Sequence, residues 1–228
     1  MFFGYDPTFV LVVPALLLAL YAQFKVRGTF QKYSEVHTAG RRTGAEVAAE
    51  LLSRRGIRDV KVEPVEGMLS DHYDPKTRVL RLSPEVYGSD SIAAVGVAAH
   101  ECGHALQHNE KYAPLAIRSA IVPVASIGTN AAWILFMIGL FASIRPLMDL
   151  GILLFLGYVA FALVTLPVEF DASRRAVAVL QGEGLVMPSE AEGARAVLNA
   201  AALTYVAAAA MAVLQLVRLL VLRNMRDE

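Results

Sequence analysis

The chain has 228 residues, a formal net charge of zero and a single cysteine, and 56% of its residues are hydrophobic. Zero net charge gives no reason to expect nucleic acid or an acidic substrate as a partner. One cysteine, Cys102, excludes an internal disulfide framework. The apolar share is higher than in an average soluble domain and is concentrated in blocks, which indicates membrane spans.

Four apolar blocks approach the length of roughly 20 residues that a spanning helix needs. They are residues 8–24, 121–143, 151–168 and 197–217. The first lacks a cationic leader and a cleavage site, so we interpret it as an anchor. Only a short turn separates the second from the third, which predicts a helical hairpin. The fourth is alanine-rich and has Gln215 and Arg218 near its end, so it is either a span or a long core or interfacial helix.

Residues 25–118 form a polar region of mixed structure between the first two spans. Thr43 and Glu46 have the spacing of a capping box at the start of a helix. An alternating strand follows, and residues 68–84 then predict a β-hairpin that turns at Asp74. The region is therefore expected to combine helices with a small amount of strand.

The helix predicted over residues 91–108 contains the sequence H-E-C-G-H, from His100 to His104. Positions i and i+4 share one helix face, so both imidazoles can bind one ion, with Glu101 beside them. H-E-x-x-H is the zinc metallopeptidase signature of two ligands and a general base. Zinc is redox-inert, accepts nitrogen and oxygen ligands, and lowers the pKa of bound water to about 7. Two histidines hydrogen-bonded inside a helix interface are the alternative.

A third ligand has to come from a later segment, and Glu169 and Asp171 directly follow the third span. A hairpin of two spans returns the chain to the same side of the membrane, so Glu169 can reach an ion held by the histidines. A solvated carboxylate at the end of a span is the alternative. His108 lies about 6 Å along the helix axis beyond His104. We therefore expect His108 to support the structure and not to bind the same ion.

Three segments carry a resemblance: SDHYDP, AAHECGHALQH and PVEFDASRRA, in this order among the apolar blocks. Together they resemble the bacterial membrane-bound neutral zinc metallopeptidases, the YugP-like family, over almost the whole chain. The chain is more distantly similar to the CAAX-prenyl-protease and heat-shock group of membrane gluzincins. That similarity implies Glu169 as the third ligand of one zinc ion per chain, and Arg174 as the arginine that follows it. The chain departs at Ser173, where the distant group has aspartate, and Asp171 is a possible substitute.

These features predict a mainly α-helical integral membrane protein with about four transmembrane helices. A small α+β zincin-like catalytic region is expected, with its β-hairpin before the H-E-x-x-H helix and a third-ligand helix and loop over residues 169–196. The expected activity is zinc-dependent endopeptidase cleavage of membrane or membrane-adjacent polypeptides, by a zinc-activated water with Glu101 as general base. Hydrolysis of a lipid or other small amide would use the same residues. A non-catalytic zinc-stabilised scaffold or adaptor is the competing interpretation, and it has no need for Glu101.

Three residues are candidates for stabilising the oxyanion of the reaction: Arg174, His72 and Tyr73. The SDHYDP segment could instead simply build a polar turn. The hairpin strand could bind an extended substrate by strand addition. The expected partners are a polypeptide substrate and the lipid bilayer, without nucleic acid, and the oligomeric state stays open.

The distribution of basic residues predicts the side of the membrane. The first span is followed by five of them: Lys25, Arg27, Lys32, Arg41 and Arg42. The positive-inside rule then places the catalytic region of this multi-pass protein of the cell membrane in the cytoplasm. Arg218, Arg223 and Arg226 would lie outside if the fourth segment crosses. Either that segment does not cross fully, or the orientation is the reverse.

Overall fold

The computed structural model describes residues 7–67 and 70–225, most of which are helical. In chain order, a short 3-10 helix (Pro7–Val12) is followed by α1 (Val13–Ser34), α2 (Gly44–Arg54), β1 (Lys61–Pro64), β2 (His72–Asp74), β3 (Val79–Leu82), α3 (Pro84–Tyr87), α4 (Ile92–Asn109), α5 (Ala113–Ala142), α6 (Arg145–Gly182) and α7 (Pro188–Asn224). Met68 and Leu69, at the start of the predicted hairpin, and Arg226 lie outside the described residues.

Three described helical segments are long and apolar enough to cross a membrane: Pro7–Ser34, which contains α1, together with α6 and α7. The two halves of α5 pass the same test together, but they are bent by 49°. Pro123 lies inside α5 next to this bend. Proline lacks the backbone N–H that a helix interior needs, which accounts for the interruption. The described chain therefore has three candidate spans, or four if the bent helix counts as one.

Two helices are longer than the apolar blocks that predicted them. The predicted third span, residues 151–168, and Glu169 lie on the single helix α6. Similarly, α7 extends the alanine-rich block 197–217 in both directions. The predicted span boundary after residue 168 is only a change from apolar to polar side chains within this helix. Such a change does not end a helix, because alanine, arginine and glutamine propagate it well.

Contacts divide the chain into two compact units. The first combines the N-terminal part up to Ala22 with Ala116–Pro167 and the C-terminal part from Thr204. Its buried core includes Phe136, Met148, Phe155 and Leu219. Within this unit Arg218 donates to the Thr8 hydroxyl at 3.2 Å, and Arg223 donates to the Asp149 carboxylate at 2.7 Å. The basic residues near the end of α7 therefore have polar partners.

The second unit, Gln23–Leu115 and Val168–Leu203, contains the H-E-x-x-H helix and all three strands. The central strand β3 pairs antiparallel with β2 and parallel with β1. The predicted hairpin is confirmed, and the Asp74 carboxylate closes its turn by accepting from the Lys76 amide and the Thr77 hydroxyl. The predicted capping box of α2 is also present. The parallel addition of β1 was not predicted.

Candidate metal centre

Two helices of the second unit bring three potential metal ligands together. Helix α4 carries His100 and His104 one turn apart, and α6 carries Glu169. Glu169 Oε2 lies 3.2 Å from His100 Nε2 and 3.6 Å from His104 Nε2. Ligand atoms about 2.1 Å from a tetrahedral zinc ion lie about 3.4 Å from each other. In residues 7–67 and 70–225, this is the one group of three His, Cys, Asp or Glu residues close enough to hold an ion.

A glycine inside the motif allows the two helices to approach. A Cβ atom on Gly103 would lie 2.5 Å from the carbonyl oxygen of Ala172 on α6. Any larger residue at this position would therefore push against the backbone of the neighbouring helix. Because Gly103 lies between the two histidines and Ala172 follows Glu169 by three residues, this close contact sets the distance between the two ligand-bearing helices.

Gln107 supports His104 from the side away from the ligand cluster. His104 Nδ1 donates to Gln107 Oε1 at 3.0 Å, and Nε2 faces Glu169. The Gln107 amide group in turn donates to the Val168 carbonyl at 2.8 Å and to Asp171 Oδ2 at 3.0 Å. Gln107 is fully buried. This one side chain therefore orients a histidine and links α4 to α6.

Ser173 performs the corresponding role for His100. Its hydroxyl oxygen lies 3.1 Å from His100 Nδ1, and His100 Nε2 faces Glu169. The residue at which the chain departs from the distant gluzincins thus still contacts a histidine of the motif. Asp171, considered as a substitute, reaches His104 only through Gln107, and it also pairs with Arg174 and with Arg175.

The electrostatic environment of the cluster favours a cation. The side chains of Glu169, Glu101 and His104 are all buried. Burial by itself lowers the pKa of His104, but its hydrogen bond to Glu169 and the negative charges of Glu101 and Glu169 raise that pKa above its usual value. A site that stabilises positive charge on a buried imidazole has the electrostatics that a metal cation requires. Two imidazoles and one carboxylate are also the donor set of catalytic zinc sites.

Glu101 differs from the other carboxylates around the cluster. Only 7% of this residue is exposed, and its carboxylate has no hydrogen bond or salt bridge within the part of the chain that the structure describes. Its oxygens are not fully shielded from solvent, so a water molecule can reach this carboxylate. A nearly buried carboxylate without a structural partner is typical of reactive positions.

The two candidates on β2 occupy different environments. The Tyr73 hydroxyl lies 2.8 Å from His108 Nδ1, one helical turn beyond His104. Burial raises the pKa of Tyr73, so its hydroxyl keeps its proton at neutral pH. His72 is exposed and contacts the Ser70 carbonyl and Arg81. Adjacent residues of a strand point to opposite faces, so the two side chains do not act at one place.

Arg174 pairs with Asp171, and its side chain is 77% exposed. It lines a pocket of about 340 Å³ together with Phe170, Ser173 and Arg195. Ser173, one of the residues that line this pocket, contacts Nδ1 of His100, and the other ring nitrogen of His100 faces Glu169. Cys102 is buried and donates to the Ala48 carbonyl, and burial raises its pKa.

Comparisons with known proteins identify the family of this chain. A family described as "Putative neutral zinc metallopeptidase" matches residues 8–224. The chain belongs to this family. It is 49% identical over 219 residues to "Putative membrane protease YugP" of Bacillus subtilis (strain 168), which covers 96% of this chain and 97% of the relative. No solved structure gives a significant match. The resemblance to YugP-like zinc metallopeptidases is confirmed, and with its apolar helices the chain is a membrane protein.

Sequence reasoning did not identify Gln107 and Gly103 as part of this site. Gln107 follows His104 by three residues, so helical periodicity places it on the same side of α4. That signal is weak, because a glutamine at this spacing is equally common on solvated faces. Gly103 occupies a variable position of the H-E-x-x-H pattern, and its importance depends on a helix 69 residues away from it in sequence, at Ala172.

Proposed function

We propose that the protein is a membrane-embedded zinc-dependent endopeptidase of the gluzincin type. His100, His104 and Glu169 would hold one zinc ion per chain, and Glu101 would be the general base. The observation that carries the proposal is the approach of both Nε2 atoms to one Glu169 oxygen, with both Nδ1 atoms engaged by Gln107 and Ser173. Histidine ligands of zinc characteristically use the second ring nitrogen in this way.

The roles of the side chains follow from their environments. Zinc in such a site supplies Lewis acidity, which activates water and polarises a carbonyl group. Glu101 accepts a proton from the attacking water and delivers it to the leaving amine. Its buried carboxylate has no competing partner in the described chain, which supports this role. Gln107 and Ser173 keep the two imidazoles in the orientation that binds the ion.

Tyr73 is the strongest of the three candidates for stabilising the oxyanion. Its hydroxyl is protonated, is held by His108 and lies on the strand next to α4. Arg174 is engaged by Asp171, and His72 faces the solvent. A neutral hydroxyl of fixed orientation provides the kind of preorganised donor that such a role needs.

The proposal includes the membrane arrangement and the substrate. The bent helix α5 would complete four spans, and the β2–β3 hairpin would be the zincin-like strand pair before the active helix. The substrate would be a membrane or membrane-adjacent polypeptide bound along the free edge of β2. The basic residues after the first span favour a cytoplasmic catalytic side in the cell membrane. In this orientation the end of α7 would lie on the outer side of the membrane, where the pairing of Arg223 with Asp149 reduces its net positive charge.

A non-catalytic zinc-stabilised scaffold is the second candidate. The same three ligands would serve it, and the low exposure of the cluster is compatible with it. Glu101 distinguishes the two candidates, because a structural site has no need for a carboxylate beside its ligands that makes no hydrogen bond and that water can reach.

The test compares Glu101→Gln with Glu192→Gln, a matched change at an exposed position of α7. We expect Glu101→Gln to keep one zinc ion per chain and to lose activity by about 100- to 10,000-fold. Zinc is measured by elemental analysis of the purified protein. Activity is measured from membrane-protein fragments that wild type produces in cells and the variant does not. Fragments that persist within a few-fold of wild type would refute the assignment of Glu101.

A further inference from the structure

A second pocket, of about 650 Å³, lies between α1 and α7 in the second unit. Its lining includes neither the histidines of the motif nor Glu169. Five side chains with polar groups line it: Lys25, Thr29, Lys32 and Tyr33 from α1, and Asn199 from α7. The zinc chemistry proposed above uses none of these residues.

The charge of this pocket is entirely positive. Lys25 and Lys32 are seven residues apart, so they lie on one helix face about 10 Å apart along the axis, with Thr29 between them. No carboxylate lines the pocket, and neither lysine forms a salt bridge within the described residues. Lys32 Nζ lies over the Tyr33 ring, 5.1 Å from its centre, and both side chains line the pocket. The complementary ligand is an anion that also accepts hydrogen bonds.

Apolar surface adjoins these charges. Phe24 directly precedes Lys25, is 77% exposed and lines the pocket, as does Leu203. The small side chains of Ala196 and Ala200 leave room along α7. The apolar stretch of the candidate span Pro7–Ser34 ends at Phe24, and basic residues begin at Lys25. Such a transition is typical of the boundary between the hydrocarbon and headgroup layers of a membrane.

We propose that this pocket binds a phospholipid with an anionic headgroup. Its phosphate would lie between the ammonium groups of Lys25 and Lys32, within reach of the donors of Thr29 and Asn199. Its acyl chains would lie along Phe24 and Leu203. Juxtamembrane lysines attract anionic lipids. The combination of apolar surface with paired cations favours a lipid over a free phosphate ion, which would use only the polar half of the pocket.

The test measures binding of phosphatidylglycerol to the full chain in a neutral detergent by native mass spectrometry, with phosphatidylcholine as the uncharged comparison. The variant is Lys25→Gln with Lys32→Gln. The matched control is Arg27→Gln with Lys61→Gln, which also removes two exposed charges but none from the pocket. All four positions are exposed, so both proteins should fold as wild type does.

We expect the pocket variant to raise the dissociation constant for phosphatidylglycerol about 30-fold and the control to leave it within about twofold. Three results would each overturn the proposal. One is an unchanged affinity in the pocket variant. Another is an equal loss in the control, which would indicate unspecific surface charge. The third is displacement of the lipid by inorganic phosphate, which would make the pocket an anion site.

Discussion

Replacing Gln107 by leucine tests the arrangement that orients His104. Leucine fills a similar volume but offers no polar atom to the three partners of the amide: His104 Nδ1, the Val168 carbonyl and Asp171. The side chain is fully buried, so water cannot replace these hydrogen bonds. We expect Gln107→Leu to bind zinc more weakly, although it changes no ligand.

The expected size of the effect comes mainly from His104. Its Nδ1–H group would lose its acceptor, and an unsatisfied buried donor costs about 1–3 kcal/mol. Asp171 keeps its two arginine partners, and the Val168 carbonyl lies within α6, so their losses are smaller. Removing the partner of a metal-binding histidine typically weakens the site 10- to 100-fold, or about 1.4–2.7 kcal/mol. The two estimates agree, so we expect a 10- to 100-fold higher dissociation constant for zinc.

The assay is a zinc titration of the purified protein against a competing chromophoric chelator. The control is Gln31→Leu, the same chemical change at an exposed position of α1. Circular dichroism verifies that both variants keep the helical content of wild type. A zinc affinity of Gln107→Leu within about twofold of wild type would refute the reasoning, because the hydrogen bond to His104 would then not contribute to the site.

Three further predictions test the helix contact, the candidates on β2 and the membrane hairpin. Gly103→Ala should destabilise the protein by about 1–3 kcal/mol and reduce its zinc content, because the added Cβ would press on the Ala172 carbonyl. Gly182→Ala, where the added Cβ has open space, should change neither quantity. Stability is measured by thermal unfolding and zinc content by metal analysis. Tyr73→Phe should lower turnover by more than about tenfold with unchanged zinc, and His72→Ala should leave both near wild type; the opposite order would exchange their roles. In a Cys102→Ala background, Glu192→Cys and Ala142→Cys should react with an impermeant thiol reagent from opposite sides of the membrane. Reaction from the same side would contradict a full crossing by α6, the helix between them.

The members of the candidate ligand cluster could be predicted largely from local sequence. The spacing of His100 and His104 fixes two imidazoles on one helix face, because an α-helix has 3.6 residues per turn regardless of its surroundings. Glu169 followed from the position of a carboxylate after two apolar blocks and from the family resemblance. Asp74 closes its predicted turn, since that contact spans only three residues. The break expected before Glu169 is absent, because a change of polarity does not end a helix.

What depends on contacts distant in sequence was decided by the tertiary structure alone. Periodicity specifies which face of α4 carries His104, but not which atoms of α6 that face meets. The role of Gln107 is therefore visible only from the hydrogen bonds of its amide to Val168 and Asp171, which lie more than 60 residues later in the chain. The parallel pairing of β1 with β3 is likewise a non-local contact, because β2 lies between these two strands in the sequence. The sequence determined the donors of the site, and helix packing determined how closely they approach and in which orientation they are held.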